Sequence, residues 1–106
     1  MDYEHLKNRL IEFRDERDWK QFHTPENLAK SISIEAGELL ECYQWNDGAD
    51  MDSVKEELAD VFIYCVLMSD RLGVDLLDIA EMKITKNAKK YPVNKAKGNA
   101  IKYNKL

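Results

Sequence analysis

The 106-residue sequence contains few of the residues that interrupt helices or crosslink chains: four glycines, two prolines and two cysteines. The glycines and prolines fall where a helical apolar period also breaks, so they mark the connections between helices. Cys42 and Cys65 form no CxxC pair and accompany no cluster of histidines, which excludes the common zinc and redox motifs. We interpret them as two buried thiols in a reducing compartment.

The sequence also lacks a long apolar run and a basic overall charge. No stretch approaches the roughly 18 apolar residues of a membrane span, and the start lacks the basic and then apolar regions of a signal peptide. A net charge of -4 argues against general binding to nucleic acid polymers. We therefore expect a cytoplasmic protein without a membrane or nucleic acid partner, formed as a single domain over residues 1–106.

Apolar periodicity and capping residues predict an all-α fold, a four-helix bundle-like protomer. Thr24 and Pro25 form a typical helix start, and Gly73 a typical stop. A further stop is predicted at 45–48, Trp-Asn-Asp-Gly. The four helices are expected from about Asp2 to Asp18, from Thr24 to about Gln44, from Asp50 or Asp52 to Gly73, and from Asp75 to Tyr91 before Pro92.

Two segments bear on assembly. Residues 61–68 of the third predicted helix are apolar on every side, which is typical of a helix that is enclosed all round. A second subunit would provide that cover in so short a chain, although a fully buried central helix of a monomer is the alternative. Residues 93–106 are rich in lysine and weakly patterned, so they form either a flexible tail or an arm ordered by contact.

Carboxylates interrupt the apolar pattern of two successive helices. Glu35 falls within the apolar stripe that includes Leu28, Ile32 and Leu39, and Glu38 lies one turn further on. On the third helix the main stripe is expected at Val54, Leu58, Val61 and Cys65. Glu57 and Asp60 flank that stripe one turn apart, on the side that also carries Tyr64.

Burying several carboxylates together costs free energy unless a counter-charge or a metal compensates. Oxygen-only ligands favour magnesium, calcium or manganese. A ferritin-like di-iron site is excluded, because neither His5 nor His23 follows a glutamate by three residues. Acidic residues three apart on a helix usually mark a solvated face, and that interpretation stays open for each pair taken alone.

The sequence around these acids resembles a known family. Glu35-Ala36-Gly37-Glu38 is followed after 18 residues by Glu57-Leu58-Ala59-Asp60, which resembles the ExxE…ExxD signature of MazG-like pyrophosphohydrolases. The segments 17–23 (RDWKQFH), 27–28 (NL), 43–45 (YQW) and 83–92, which reads K-x3-N-x2-KYP, are similar to the dCTP pyrophosphatase branch of that family. The likeness covers about residues 14–106.

The resemblance implies a helical dimer or dimer of dimers, a homodimer or homotetramer, with its active site near the subunit interface. It implies that Glu35, Glu38, Glu57 and Asp60 bind magnesium, which manganese could replace, and are the catalytic acids. Water would then attack the α-phosphorus of a nucleoside triphosphate and pyrophosphate would leave. dCTP or a modified pyrimidine nucleotide would be the substrate, and removal of unwanted nucleotides the purpose.

The same resemblance assigns the substrate contacts. Aromatic residues and a histidine would bind the nucleoside, and a basic helix face would bind the phosphates, although Lys90 stands where relatives often have arginine. Without the resemblance, these residues would be ordinary core anchors or a solvated lysine face. The expected substrate-binding residues are Trp19, His23, Trp45, Tyr64, Lys83, Asn87, Lys90 and Tyr91.

Two alternative functions remain. One is a phosphoribosyl-ATP pyrophosphohydrolase or a dUTPase-like relative, which would use a similar helical scaffold and acidic cluster. The other is a non-catalytic helical dimerisation module, since a fold does not guarantee a function. The segment 17–23 and Trp45 argue against the first alternative. The second alternative has no support from a missing motif residue, because all the motif residues are present.

Overall fold

The computed structural model describes residues 1–45 and 48–106, and it contains no strand within those ranges. The predicted all-α class is therefore confirmed. Each of the four predicted helices is present, whereas their bundle arrangement and the oligomeric state remain predictions. The helices are α1 (Tyr3–Glu16), α2 (Pro25–Glu41), α3 (Met51–Leu72), α4 (Leu76–Lys90) and the short α5 (Val93–Ala96), with 3-10 turns at Lys20–Phe22 and Tyr103–Lys105.

The chain divides into two compact units, Met1–Val74 and Asp75–Leu106. In the first unit α2 packs chiefly against α3, and α1 also contacts α3. None of the described helices combines the length and the apolar character that crossing a membrane requires.

Side-chain caps fix the starts of two helices as the sequence predicts. The Thr24 hydroxyl accepts a hydrogen bond from the backbone N–H of Asn27 at 3.1 Å, directly before Pro25. The Asp75 carboxylate accepts one from the N–H of Asp78 at 3.0 Å. At the start of α3 the capping position is Asp50, whose carboxylate accepts a hydrogen bond from the Ser53 hydroxyl at 2.8 Å.

The end of α3 is also the predicted one. Gly73 has a left-handed backbone with φ of 69°, its N–H donates to the carbonyl of Asp70, and the N–H of Val74 donates to the carbonyl of Ser69. This pair of bonds is a Schellman motif, which satisfies carbonyls that a helix end otherwise leaves unpaired.

Two predicted helix ends were too late. α2 ends at Glu41 and not near Gln44, because the N–H groups of Tyr43 and Gln44 bond to carbonyls three residues back and tighten the chain into 3-10-type turns. α1 ends at Glu16, two residues before the predicted Asp18. Asn46 and Asp47 of the predicted 45–48 stop lie outside the described residues.

The buried apolar core of the described residues is small, consisting of Leu28, Val66 and Leu67. The prediction that residues 61–68 are covered on all sides does not hold within one chain, because Phe62 is 41% exposed. Leu58 of the predicted α3 stripe is 57% exposed in the single chain. The neighbouring Glu57 is half-buried in its place.

Residues 75–106 form their own set of contacts. The rings of Tyr91 and Tyr103 meet edge to face with centroids 6.0 Å apart. The ammonium of Lys90 lies 4.7 Å from the centroid of the Tyr103 ring. The lysine-rich segment after Pro92 thus contains helical turns and contacts the end of α4, which corresponds to the ordered arm of the two sequence alternatives.

Candidate metal centre and adjoining cavity

Three of the four predicted acids converge between α2 and α3. One carboxylate oxygen from each of Glu35, Glu57 and Asp60 lies within 4.8 Å of the other two, and all three residues are half-buried. Glu35 comes from the inward stripe of α2, while Glu57 and Asp60 lie one turn apart on α3. The packing of α2 against α3 therefore brings both ExxE and ExxD segments to one place.

The cluster has more acceptors than donors. Glu35 Oε2 and Glu57 Oε2 are buried and have no hydrogen-bond partner among the described residues. An ionised carboxylate can only accept hydrogen bonds, so neighbouring carboxylates cannot satisfy each other unless one carries a proton. The site therefore lacks positive charge or protons.

That shortage shifts two pKa values upward. The adjacent Glu38 carboxyl, followed by burial and by the charge of Asp60, raises the pKa of Glu35 from 4.5 to about 7. Burial, followed by the neighbouring Glu38, raises the pKa of Glu57 as well. Glu38 is itself exposed, so the fourth predicted acid lies at the rim of the cluster.

The arrangement fits a hard divalent cation. Such ions take oxygen ligands, and magnesium is commonly bound through a few carboxylates together with water and substrate phosphates. A cation would neutralise the like charges and coordinate the two unpartnered oxygens of Glu35 and Glu57. Glu38 and Glu57 also line a second, more polar hollow of about 530 Å³, together with Glu41, Cys42, Asp50 and Ser53.

An aromatic cavity adjoins the acids. Its volume is about 420 Å³, and Asp60 belongs both to its lining and to the acidic cluster. Trp19, His23 and Tyr64, three of the predicted substrate-binding residues, line it as well. The remaining lining residues are Leu6, Arg9, Leu10, Phe13, Arg14, Phe62, Ile63, Val66 and Leu67.

The Trp19 wall of the cavity is braced by neighbouring rings and charge. The rings of Phe13 and Trp19 meet edge to face, with centroids 5.7 Å apart. The Arg17 guanidinium lies 3.8 Å from the Phe13 ring centroid and 6.0 Å from that of Trp19. A cation over an aromatic face is attracted to it, so Arg17 helps to hold this aromatic pair.

His23 provides a polar group on the same wall. Its Nδ1 is buried without a hydrogen-bond partner among the described residues. Burial, together with the positive charge of Arg14, lowers the pKa of His23 below 6.5. A neutral imidazole offers one donor and one acceptor, so His23 can form hydrogen bonds with the edge of a ligand.

The other predicted substrate-binding residues lie elsewhere. Trp45 is 84% exposed on the segment after α2 and does not line the aromatic cavity. Lys83, Asn87 and Lys90 follow one another at intervals of four and three residues on α4, and Tyr91 directly follows that helix. These four belong to the 75–106 unit.

Sequence reasoning missed the buried arginine of the cavity wall. Arg14 is only 3% exposed, and its guanidinium donates to Asp15 at 2.9 Å and to Asp70 at 2.8 Å. A signal was present, because Arg14 follows Leu6 and Leu10 at four-residue intervals and so continues the apolar side of α1. A charged residue in such a stripe needs a buried partner or a function.

Comparison with known proteins identifies a family. The sequence profile of the MazG-like family matches residues 30–106, which is most of the chain. The match includes all four predicted acids and the basic face of α4.

Individual relatives are similar over nearly the whole chain. dCTP pyrophosphatase 1 of Rattus norvegicus is 38% identical and that of Homo sapiens 37%, and each alignment covers 97% of this chain and 66% of the relative. This chain thus spans just under two thirds of their length. The crystal structure of a pyrophosphatase from Archaeoglobus fulgidus is similar with a TM-score of 0.76 and 43% identity, covering 84% of this chain and 91% of that one.

Proposed function

The chain belongs to the MazG-like family, and from that premise we propose that it is an enzyme that hydrolyses nucleoside triphosphates to monophosphate and pyrophosphate with magnesium. One observation carries the proposal: the carboxylate cluster with two unpartnered buried oxygens shares Asp60 with an aromatic cavity. A cation site next to a pocket for a flat ring suits a nucleotide, whose base and phosphates need different environments.

The four acids have the metal-binding role in this proposal. Glu35, Glu57 and Asp60 would hold the cation, and Glu38 would complete the set from the rim. Bound there, magnesium or manganese would stabilise negative charge on the phosphates. Water would attack the α-phosphorus and release a proton to solvent, the bond from that phosphorus to the oxygen bridging to the β-phosphate would break, and pyrophosphate would leave with that oxygen.

The aromatic cavity would bind the nucleoside. Trp19 offers a ring on which a base can stack, and stacking on an aromatic side chain contributes about 1–3 kcal/mol. His23 and Tyr64 add hydrogen-bonding groups at the same cavity. Lys83, Asn87, Lys90 and Tyr91 are proposed to bind the phosphates, because three of them share one face of α4 and two carry positive charge.

The proposed substrate is dCTP or a modified pyrimidine deoxynucleotide, so that the enzyme would remove unwanted nucleotides from the pool. The support is the similarity to two proteins named dCTP pyrophosphatase 1. Stacking alone tolerates any base, so the polar groups of the cavity must provide the selection.

We also propose that the active species is a homodimer or a homotetramer. Phe62 and Leu58, both large and apolar, are 41% and 57% exposed on α3 in the single chain, and a second subunit would cover them. Sedimentation at low micromolar concentration should give a dimer or tetramer. A stable, active monomer would overturn this part of the proposal.

The reaction is tested by product analysis. The chain is incubated with dCTP, dUTP, dTTP, dATP, dGTP or phosphoribosyl-ATP, with magnesium or with a chelator, and the products are identified. Monophosphate plus pyrophosphate that appear only with the metal would support the proposal. Release of single phosphates would overturn the reaction class, and no turnover of any nucleotide would favour a dimerisation module.

A further inference from the structure

The buried ion pair between α1 and α3 has no place in the proposed chemistry, yet it lies against the nucleoside cavity. Arg14 lines that cavity while its Nε and Nη1 donate to Asp15 and Asp70. Burying a charged pair costs desolvation free energy and often contributes little to net stability. The position of Arg14 in the wall that Trp19 and His23 also line indicates a role in placing those two residues.

Arg14 is connected to Trp19 through the backbone. The carbonyl of Arg14 accepts the N–H of Trp19 at 3.1 Å, and the carbonyl of Asp15 accepts the N–H of Asp18 at 3.0 Å. Asp18 has a left-handed φ of 53°, so this turn is a Schellman motif in which aspartate takes the usual place of glycine. This motif bends the chain sharply after α1 and so places Trp19 in the cavity wall.

The side chain of Arg14 fixes that turn in space. Asp70 belongs to α3, 56 residues further along the chain, and α3 also carries Asp60 and Tyr64 of the cavity wall. The ion pair therefore sets the distance between the turn that carries Trp19 and the helix that carries the acids. The guanidinium also places positive charge near His23, which favours the neutral imidazole.

We propose that Arg14, held by Asp70, is a positioning residue for nucleoside recognition and acts through Trp19 and His23. This inference rests on the proposed function, because it assumes that the cavity binds the nucleoside. Arg14 takes part in no chemical step and does not need to touch the substrate.

The test is a double-mutant cycle between Arg14 and Trp19. Arg14→Met should raise KM by roughly tenfold while kcat changes little, since displacing a binding group costs affinity. In a Trp19→Ala background the same substitution should have a clearly smaller effect on KM, because the part of its effect that acts through Trp19 is gone and only the part through His23 remains. Arg71→Met, at an exposed arginine of the same helix as Asp70, is the matched control and should leave both constants unchanged.

A second measurement does not depend on turnover. The indole N–H signal of Trp19, assigned by its loss in Trp19→Ala, should move in Arg14→Met and respond less to deoxycytidine monophosphate than in the wild type. An unchanged signal, or equal effects on KM with and without Trp19, would overturn the inference. If wild-type protein hydrolyses no nucleotide, the proposed function fails, whereas the indole signal still reports on Arg14.

Conservative variants protect the test against misfolding. Arg14→Lys keeps the charge and should recover part of the lost affinity, and Asp70→Asn should shift the indole signal in the same direction as Arg14→Met by a smaller amount. If both variants are folded and behave as the wild type in KM and in the indole signal, Arg14 is not a positioning residue.

Discussion

Residues 1–74 bury charge in two places, between α2 and α3 and between α1 and α3, and the two places are built in opposite ways. The acids Glu35, Glu57 and Asp60 gather like charges and leave two oxygens without partners among the residues that the structure describes. Arg14 instead meets opposite charges at 2.8 and 2.9 Å. An unsatisfied cluster costs stability until a ligand arrives, whereas a satisfied pair is complete within the chain. The first therefore indicates a binding site, and the second a structural tie.

Removing one acid of the cluster should have the largest effect, because it should lower activity strongly without lowering stability. We expect Glu35→Gln or Glu57→Gln to lower kcat by roughly 100-fold or more, since a bound metal contributes several kcal/mol to transition-state stabilisation. The metal-free variants should be at least as stable as the wild type, because repulsion is relieved. Steady-state kinetics and urea unfolding measure the two effects.

Glu56 supplies the control for this pair of variants. It is the exposed neighbour of Glu57 on the same helix, so Glu56→Gln changes the net charge equally without touching the cluster. Near-normal magnesium-dependent turnover in both Glu35→Gln and Glu57→Gln would refute the metal assignment.

Breaking the ion pair should instead lower the stability of the fold. Asp70→Ala leaves the Arg14 guanidinium, whose side chain is 4% exposed, with one fewer partner. We expect a loss of about 2–3 kcal/mol in the free energy of unfolding, since an uncompensated buried charge is costly. Asp15→Ala is the comparison, because the Asp15 side chain is 53% exposed and exposed pairs contribute at most about 1 kcal/mol. Equal losses in urea unfolding would contradict the distinction.

The acidic cluster should also make the metal-free protein less stable as pH rises. The pKa of Glu35 is about 7 in the folded chain against an ordinary 4.5. Between these values the folded state retains a proton that the unfolded state has lost, so stability falls from about pH 4.5 through pH 7. Magnesium favours the ionised form and should flatten this decline.

The difference between wild type and Glu35→Gln measures the contribution of Glu35 together with its effect on the neighbouring Glu57, whose pKa is also raised. The lowered pKa of His23 acts in the opposite direction, because stability is lost as pH falls below 6.5, and this contribution cancels in the difference. Urea unfolding with a chelator from pH 5 to pH 8 gives the curve. A difference that is constant with pH would show that Glu35 does not titrate in this range.

Local signals explain why much of the fold was predictable. Thr24 with Pro25, Asp75 and Gly73 act through bonds to residues within a few positions, so sequence spacing identifies them. At the true end of α2 the chain passes into backbone 3-10 bonds at Tyr43 and Gln44, which no capping residue in the sequence signals. Leu58 follows the apolar period of α3 yet is 57% exposed in the single chain, since a period identifies an apolar stripe but not which neighbour covers each part of it.

The candidate site was predictable to the same degree. Glu35 stands out because it breaks an apolar stripe, and Glu57 with Asp60 repeats the spacing on the next helix. The pair between Arg14 and Asp70 joins residues 56 positions apart, and only tertiary packing brings them together. The apolar stripe of α1 shows that Arg14 is unusual there, but the sequence pattern does not identify Asp70 as its partner.

The smallest expected effect is that of replacing one of the two tryptophans, which differ in their surroundings. Trp19 lines the aromatic cavity, whereas Trp45 is 84% exposed and does not. Loss of a stacked ring costs about 1–3 kcal/mol of binding, so Trp19→Ala should raise KM clearly. Trp45→Ala should raise KM by less than Trp19→Ala does. If the Trp45 ring only contacts the base, its loss should also raise KM more than it lowers kcat. The measurement is kcat and KM for dCTP at one magnesium concentration. A larger KM effect at Trp45 than at Trp19 would move the nucleoside site away from the cavity, and equal losses in kcat and kcat/KM would mean that Trp45 acts in the transition state.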